Sequence, residues 1–390
     1  MNEFEPTNFN GCYSADELKN FLVKCANHNV SDVLIQGGDY IWLDRYGRQV
    51  KGSISSVENG NIPIITEMLW RDNSILINVN AGVDQDRGLE ISPTSENDYG
   101  LERGKTIRFR CNFVQAHVAK QMRTVSITIR IIPQDLPTFD TVHLEDELKD
   151  AMYPRDGLIL ICGPTGSGKT TLQAAIYHYA LVNLPDKKIV TYEDPIEYVL
   201  GGRHCNGPQP AQSQVGRDVV SFAAGIRNAM RRALKIIGIG EARDRETFKA
   251  LIQAATSGHL CYGTMHTKSC ADTIARVIQE FPTEEQSSVA ADLLNTLHVV
   301  IVQNLLRTTD GKRIAVREYI VFDLEIKREM QNMPYQSWGN FIRQYLEDRK
   351  GTIADKAWDL YIDNKISKEE FIEKAGLIDF NRRFKECTLA

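Results

Sequence analysis

The sequence predicts a mixed α/β protein with an N-terminal α+β domain, a C-terminal α/β domain of mostly parallel strands, and a small helical tail. Three observations predict it. The apolar run Leu158 to Cys162 leads into Gly163-Pro164-Thr165-Gly166-Ser167-Gly168-Lys169-Thr170, and Thr171-Leu172-Gln173-Ala174-Ala175-Ile176 follows. This is the strand, glycine-rich turn and helix start that the pattern G-x-x-x-x-G-K-[ST] requires. Beyond the turn, short apolar runs alternate with helical patterns, the signature of side-by-side strands with helices on their faces. Before it, two segments alternate strictly between apolar and polar residues, as half-buried strands do.

Taken in order, residues 15 to 28 place Leu18, Phe21, Leu22 and Cys25 at helical spacing behind Ser14 as a cap. Ser31 to Ile35 and Tyr40 to Leu43, joined by Gly37-Gly38-Asp39, read as a hairpin. A helix is expected around Ile64 to Leu69 and a polar loop over Ser92 to Gly104. In the strand Ile107 to Phe113, Ile107, Phe109, Cys111 and Phe113 share one face and leave Arg108 and Arg110 on the other. In Val125 to Ile131, Val125, Ile127, Ile129 and Ile131 share one face and leave Arg130 opposite. This basic face is either solvated or serves a phosphate site on a neighbour, since arginine on a rigid strand suits bidentate phosphate contact. Pro133-Gln134-Asp135-Leu136-Pro137 then breaks the pattern. The division expected is an N-terminal domain over 1 to 132, a linker region over 133 to 155, an α/β domain over 156 to 329 and a helical tail over 330 to 390.

After the glycine-rich turn the pattern reads helix 171 to 184, strand Lys188 to Tyr192, a polar loop over 201 to 218, helix 221 to 234 and strand Ile236 to Ile239. Helix 245 to 257, strand Leu260 to Thr264, and helices 270 to 279 and 284 to 298 follow. Val299 to Leu306, Arg313 to Val316 and Glu318 to Phe322 add strands at the far edge, and aromatic residues at helical spacing from Met330 predict the tail.

At 390 residues the chain is long for one core and suits two domains, with room for a small third. Hydrophobic residues at 42% and charged residues at 25% are ordinary for a globular protein. A net charge of −5 gives no global reason to expect nucleic-acid binding. Cysteines at 12, 25, 111, 162, 205, 261, 270 and 387 form no C-x-x-C pair, and several sit in apolar runs, which fits a reducing cytoplasm. The start Met1-Asn2-Glu3-Phe4-Glu5-Pro6 lacks a signal peptide's basic and apolar regions. No run approaches the roughly 20 apolar residues needed to span a bilayer, so a membrane role is expected to be peripheral and through a partner.

The turn predicts its own guest. Glycines let backbone N–H groups point inward, and the new helix adds its unpaired N–H groups and positive dipole end, so a nucleoside triphosphate is expected. In this pattern Lys169 lies along the β- and γ-phosphates and the Thr170 hydroxyl ligates Mg2+. Glu193-Asp194-Pro195-Ile196-Glu197 follows the second strand of the sheet, where open α/β folds place their chemistry. Its carboxylates either orient water and hold a hydrated Mg2+ or form a solvated acidic turn. Ile236-Ile237-Gly238-Ile239-Gly240-Glu241 is an apolar strand ending in a carboxylate, the shape of a Walker B element. His266 is read as a γ-phosphate sensor, because His259, Cys261, His266 and Cys270 are ligand types without a closed zinc pattern. Arg227, Arg231 and Lys235 are expected along helix 221 to 234, as a solvated row, a contact to a neighbour's nucleotide, or a hold on nucleic acid.

With these residues the chain resembles the secretion-superfamily ATPases, the traffic motors of type II and type IV secretion and of type IV pili. The resemblance rests on the phosphate loop, on Thr191-Tyr192-Glu193-Asp194-Pro195-Ile196-Glu197-Tyr198 as the Asp box, on Gly238-Ile239-Gly240-Glu241-Ala242-Arg243-Asp244 as the Walker B region, and on a His box. The His box runs from Thr256-Ser257-Gly258-His259-Leu260 through Gly263-Thr264-Met265-His266-Thr267. Within the superfamily the chain is most similar to pilus retraction ATPases and to the ATPases of type IVB (Dot/Icm-type and IncI conjugation) secretion systems.

The resemblance implies a PAS-like N-terminal domain, a flexible linker, and a RecA-like ATPase domain that assembles into a homohexamer with ATP between domains. It implies ATP and Mg2+ as cofactors, Glu197 as general base, Glu241 as the Walker B carboxylate near Mg2+, Glu193 within the catalytic Asp box, and His266 as phosphate sensor. It also implies that Arg108, Arg110 and Arg130 contact ATP. The partners implied are copies of the chain and inner-membrane secretion or conjugation proteins, with no direct nucleic acid. A pilus retraction motor and a RecA-like nucleic-acid translocase are the alternatives. The chain departs from many relatives in carrying Lys235 before the Walker B strand, and residues 203 to 218 and the tail from 330 match pilus motors poorly.

Overall fold

The computed structural model describes residues 4 to 389 except 119, 120, 134, 203, 204 and 233. Met1 to Glu3, Gln134 of the expected linker, residues 203 and 204 of the polar loop and the side chain of Cys387 therefore lie outside the described residues. The chain divides into two compact units, Met1–Asp135 and Leu136–Ala390.

The first unit is a six-stranded antiparallel sheet with helices on its apolar face. Its elements are α1 (Ala15–Asn27), β1 (Val30–Gln36), β2 (Trp42–Arg45), β3 (Arg48–Lys51), α2 (Asn61–Trp70), α3 (Ser74–Asn80), β4 (Gln85–Ile91), β5 (Ile107–Val118) and β6 (Gln121–Ile132). The sheet order is β3-β2-β1-β6-β5-β4. Ser14 caps α1 in a capping box with Glu17, which satisfies the first free N–H groups of the helix. Leu18, Phe21, Leu22, Ile62 and Ile65 pack with Phe109, Cys111, Phe113, Ile127 and Ile129 into one core. The alternation of β5 and β6 thus buries one face and leaves the arginine face open.

The second unit carries α4 (Asp146–Ala151), β7 (Gly157–Cys162), α5 (Lys169–Asn183), β8 (Ile189–Glu193), β9 (Ala211–Gln214), α6 (Phe222–Ala229), β10 (Ile236–Ile239), α7 (Arg245–Thr256), β11 (Leu260–Met265), α8 (Cys270–Gln279), α9 (Thr283–Thr296), β12 (Leu297–Arg307) and β13 (Arg313–Val321). The sheet order is β13-β12-β7-β11-β10-β8-β9, parallel except where β13 runs antiparallel to β12. The central strands are buried on both faces, which is why they read as unbroken apolar runs. Helices α5 and α4 cover one face, and α6 to α9 cover the other.

The tail is α10 (Leu324–Gln331), α11 (Trp338–Asp348), α12 (Ile353–Ile362), α13 (Lys368–Ala375) and α14 (Leu377–Leu389). Met330, Trp338, Ile342 and Leu346 join the core beneath α8, whereas Trp358, Phe371 and Phe380 close over Leu306 and Val316 of the sheet edge.

Several elements differ from the sequence expectation. β3, α3 and β4 fall where little pattern is visible, and β9 forms inside the polar loop because its four half-buried residues need only pair with β8. The two far-edge strands are one continuous β13, because Arg317 is buried and does not interrupt it. Helix α6 ends at Ala229 with Met230 as C-cap, so Arg231 and Lys235 leave the helix and the basic row of three does not exist.

A buried carboxylate staples the tail to the sheet. Glu318 on β13 is 7% exposed and accepts the Cys270 N–H at 2.8 Å and the Ile353 N–H, the first residues of α8 and α12. Two helix N-termini favour the anion there, yet burial still holds its pKa above the ordinary 4.5. The folded chain therefore binds this proton more tightly than the unfolded one, and the group's contribution to stability falls as pH rises through the window above 4.5. Glu318→Gln removes the titration and keeps an acceptor oxygen. Urea unfolding should show the variant gaining on wild type as pH rises from 4.5 toward neutrality; a flat difference would remove Glu318 as a titrating group.

Candidate functional site

Because β7, β11, β10 and β8 run parallel, their carboxyl ends share one edge, and the residues that follow each strand meet there. Cys162 stands opposite Met265, and Ile239 stands opposite both Gly263 and Tyr192. The exits are fixed by backbone bonds: Gly163 N–H donates to Met265 O at 3.2 Å, Gly240 N–H to Tyr192 O at 2.8 Å, and Ala242 N–H to Thr264 O at 2.8 Å. The Thr264 hydroxyl donates to Gly240 O. Glu241 is thus clamped on both sides by Thr264.

The loop from Gly163 to Gly168 bends against β12. Gly163 has φ +140°, and a Cβ there would lie 2.2 Å from the Gln303 carbonyl oxygen, a clash only glycine avoids. Helix α5 starts at Lys169 with no acidic residue in its first turn, so its positive end is not neutralised from within. Lys169 is 8% exposed, and its Nζ donates to Gly163 O at 2.8 Å and Pro164 O at 3.0 Å and stands 3.4 Å from His266 Nδ1. Burial pulls its pKa down, while Cys162, Glu241 and Glu197 push it back up.

The acidic groups lie around that lysine. Glu241 Oε1 is 3.7 Å from His266 Nε2, and Glu241 Oε2 is 3.9 Å from an Arg243 nitrogen. Burial raises the Glu193 pKa, and the charge of Glu197 adds to this; Thr191 and Gln212 donate to Glu193 Oε1 at 2.5 and 2.9 Å and pull the other way. Tyr198 Oη sits 3.1 Å from Thr171 Oγ1, which joins the Asp box to the first turn of α5. Thr170, the second residue of α5, is half-buried. One hydroxyl and one carboxylate beside a phosphate loop fit Mg2+, which keeps several waters and takes few protein oxygens.

The structure therefore brings Lys169, Thr170, Thr171, Glu193, Glu197, Glu241 and His266 to one edge. It does not bring together the four zinc-type residues: His259 and His266 flank the six-residue strand β11 at opposite ends, about 20 Å apart at strand rise. Among the described residues no group of three or more His, Cys, Asp and Glu side chains converges as a metal cage. In the first unit, Arg108, Arg110 and Arg130 lie on the open face of β5 and β6, with Arg110 directly opposite Arg130. They pair with Glu90 at 2.9 Å, Asp86 at 3.6 Å and Asp32 at 2.8 Å. Such half-exposed pairs are weak and readily exchanged for another anion.

Sequence reasoning missed Gln173, which donates to Ile239 O at 3.1 Å, and Gln212, Gln303 and Arg317. For Gln303 and Arg317 the available signal was a polar group directly after the apolar runs Val299 to Val302 and Ile314 to Val316, because a buried polar group needs a dedicated partner.

A family model described as "Type II/IV secretion system protein" matches residues 15–336. The type IV pilus retraction ATPase PilT of Pseudomonas aeruginosa is 38% identical over 226 residues, which are 58% of this chain and 63% of that protein. The chain therefore spans under two thirds of that relative's length in the alignment. The crystal structure of the Legionella pneumophila ATPase DotB superposes with a TM-score of 0.85 at 30% identity, covering 95% of this chain and 97% of that one. The pilus retraction motor PilT with bound ADP superposes with a TM-score of 0.73 at 27% identity, covering 92% and 96%.

The packing of the loop on β12 makes a testable contrast. Gly166 has φ +75° and open space within 4 Å of where a Cβ would stand, whereas a Cβ on Gly163 would strike backbone. Gly166→Ala should cost about 1–2 kcal/mol for its left-handed conformation, and Gly163→Ala about 3 kcal/mol or more. Urea unfolding measures both, and equal costs would show that Gln303 does not select glycine at 163.

Proposed function

The chain belongs to the type II/IV secretion system protein family, and from that premise we propose that it hydrolyses ATP to power transfer through a type IVB secretion or conjugation system. The observation that carries this reading is the meeting of Lys169, His266 and Glu241 at the mouth of the Gly163–Gly168 loop, with Glu193 and Glu197 beside them. In the proposed reaction, water attacks the γ-phosphate in line, Glu197 takes its proton, and the bond to the bridging oxygen breaks so that ADP leaves and inorganic phosphate forms. Lys169 exchanges the Gly163 and Pro164 carbonyls for phosphate oxygens, and His266 donates to the γ-phosphate. Glu193, held by Thr191 and Gln212, keeps the Asp box in place against the end of β8. Thr170, and Glu241 through water, would hold Mg2+, which would supply neutralisation of phosphate charge.

The architecture supports the expected two-domain reading. The order β2-β1-β6-β5-β4 with helices on one face supports a PAS-like N-terminal domain, and the order β12-β7-β11-β10-β8, with β11 between the loop strand and the Glu241 strand, supports a RecA-like core. The proposed domains are 1 to 132, 156 to 329 and 330 to 390, with 133 to 155 as the linker region, and the proposed assembly is a homohexamer with ATP between domains. Superposition on the ATPase DotB has a higher TM-score than on the retraction motor PilT; the type IVB reading is preferred on the resemblance to Dot/Icm-type ATPases, with pilus retraction as the alternative. No helix among the described residues is long and apolar enough to cross a membrane, so the proposed place is peripheral at the inner membrane through secretion or conjugation proteins. The break of the Arg227 row after Ala229 weakens the nucleic-acid translocase reading.

Lys169→Ala and Glu197→Gln should each lower ATP turnover by at least about a hundredfold; full activity in Lys169→Ala would sink the assignment. Arg108, Arg110 and Arg130 are proposed to reach a neighbouring subunit's ATP. Mixing Arg110→Ala or Arg130→Ala subunits with Lys169→Ala subunits should then restore part of the turnover lost in either alone, and no rescue at any ratio would count against action in trans.

A further inference from the structure

Behind the phosphate loop lies a chain of buried polar groups that the reaction above does not use. Gln303 is 3% exposed, directly after the apolar run Val299 to Val302 of β12, and engages both ends of its amide. Its Nε2 donates to Ser167 O at 2.7 Å, and its Oε1 accepts from Arg317 Nε at 2.7 Å. Arg317 is 1% exposed and donates onward to Val142 O at 2.6 Å, His143 O at 2.9 Å and Glu145 Oε2 at 3.1 Å. Tyr319, two residues along β13, donates to Glu147 at 2.9 Å and pins the first turn of α4 beside it.

We propose that Gln303 and Arg317 are positioning residues that link the state of the Gly163–Gly168 loop to residues 142–145, a segment of the expected linker region that lies within the second unit. The inference rests on the reading of the loop as a nucleotide site. In a trans peptide the C=O and the following N–H point in opposite directions. Holding Ser167 O toward β12 therefore aims the Gly168 N–H away from β12, into the concavity where a phosphate would sit. Gly168 lies close against the Gln303 amide, since a Cβ on it would lie 3.0 Å from Gln303 Nε2.

At its other end the relay terminates on two backbone carbonyls and one carboxylate, all within four residues. A buried guanidinium is seldom the most stable occupant of such a position, because apolar side chains of similar volume often serve stability as well or better. Burial pulls the Arg317 pKa down and Glu145 only partly restores it. What the charge supplies is geometry: a rigid fork whose Nε arm holds Gln303 while its terminal nitrogens hold residues 142 to 145. When a triphosphate draws Lys169 off the Gly163 and Pro164 carbonyls, the loop shifts against β12, and the fork carries the shift to that segment.

Two variants in the full chain separate the arms. Gln303→Glu is nearly isosteric, keeps the acceptor for Arg317 and sets an oxygen against Ser167 O. Arg317→Lys keeps the charge but loses the fork. Hydrogen exchange of residues 138 to 149 is measured with and without saturating ATPγS, beside ATPγS affinity and thermal midpoint. In wild type, nucleotide should change exchange in that segment by several-fold. Gln303→Glu should weaken ATPγS binding by roughly tenfold, the worth of one charge-free hydrogen bond, and lose the change at saturation. Arg317→Lys should bind with near wild-type affinity and also lose the change, a split that general loss of stability does not produce. Wild type that binds ATPγS without a change in 138 to 149 overturns the proposal, as does either variant retaining the full change. Wild type that does not bind ATPγS overturns the nucleotide reading itself, and this proposal with it.

Discussion

The loop can leave β7 only because nothing projects from residue 163. The Gln303 carbonyl stands where a side chain would begin, so the turn is pressed onto β12 along one side and its N–H groups are left to face the other. Much of the site depends on that contact. It places the start of α5 over the end of β7, sets Lys169 among its own loop carbonyls, and brings Nζ to within 3.4 Å of His266 at the end of the neighbouring strand. The parallel register supplies the rest, because β10 stops two residues short of β11 and one short of β8, and Glu241 and Glu193 come to the same edge.

Electrostatics at this edge are poised rather than satisfied. Burial lowers the pKa of Lys169 and raises that of Glu193, so each charged form is penalised where it stands. The lysine is met by neutral carbonyls, which hold it in place but leave it with a strong preference for an anion. The two donors to Glu193 both go to the same oxygen. That arrangement suits a carboxylate that fixes the Asp box, and it leaves proton transfer to a neighbour. Glu241, beside His266 and clamped by Thr264, is held in orientation by backbone bonds on each side of it.

The edge of the sheet was legible in the sequence because its signals are local. A glycine pattern, an apolar strand ending in Glu241 and a histidine after β11 each announce themselves within about eight residues. The alternation of β5 and β6 likewise placed Arg108, Arg110 and Arg130 on one face without any tertiary information. What was illegible depends on partners far away in the chain. β9 contains Ala211 to Gln214, which have no strand pattern and pair only because β8 offers an edge. The basic row failed because helical periodicity continues in the sequence past Ala229 while the backbone stops there. Arg317 looks like a strand interruption in sequence, yet it is buried against Gln303 and residues 142 to 145, contacts separated by 14 and up to 175 positions.

In the proposed reaction the cations that would meet phosphate are already engaged within their own units. Lys169 is occupied by its own loop, and the three strand arginines are occupied by Asp32, Asp86 and Glu90 on the adjacent strands. Exposed pairs of that kind hold their partners weakly, and a lysine on neutral carbonyls holds them more weakly than it would hold phosphate. If each set meets phosphate as proposed, a triphosphate must displace these internal partners, and the loss of a phosphate weakens its hold on them. On the proposed reading, hydrolysis would act on each unit through this competition. The internal partners of Lys169 and of the arginines would then reclaim them, and the strength of those internal pairs would set how completely each is released after turnover.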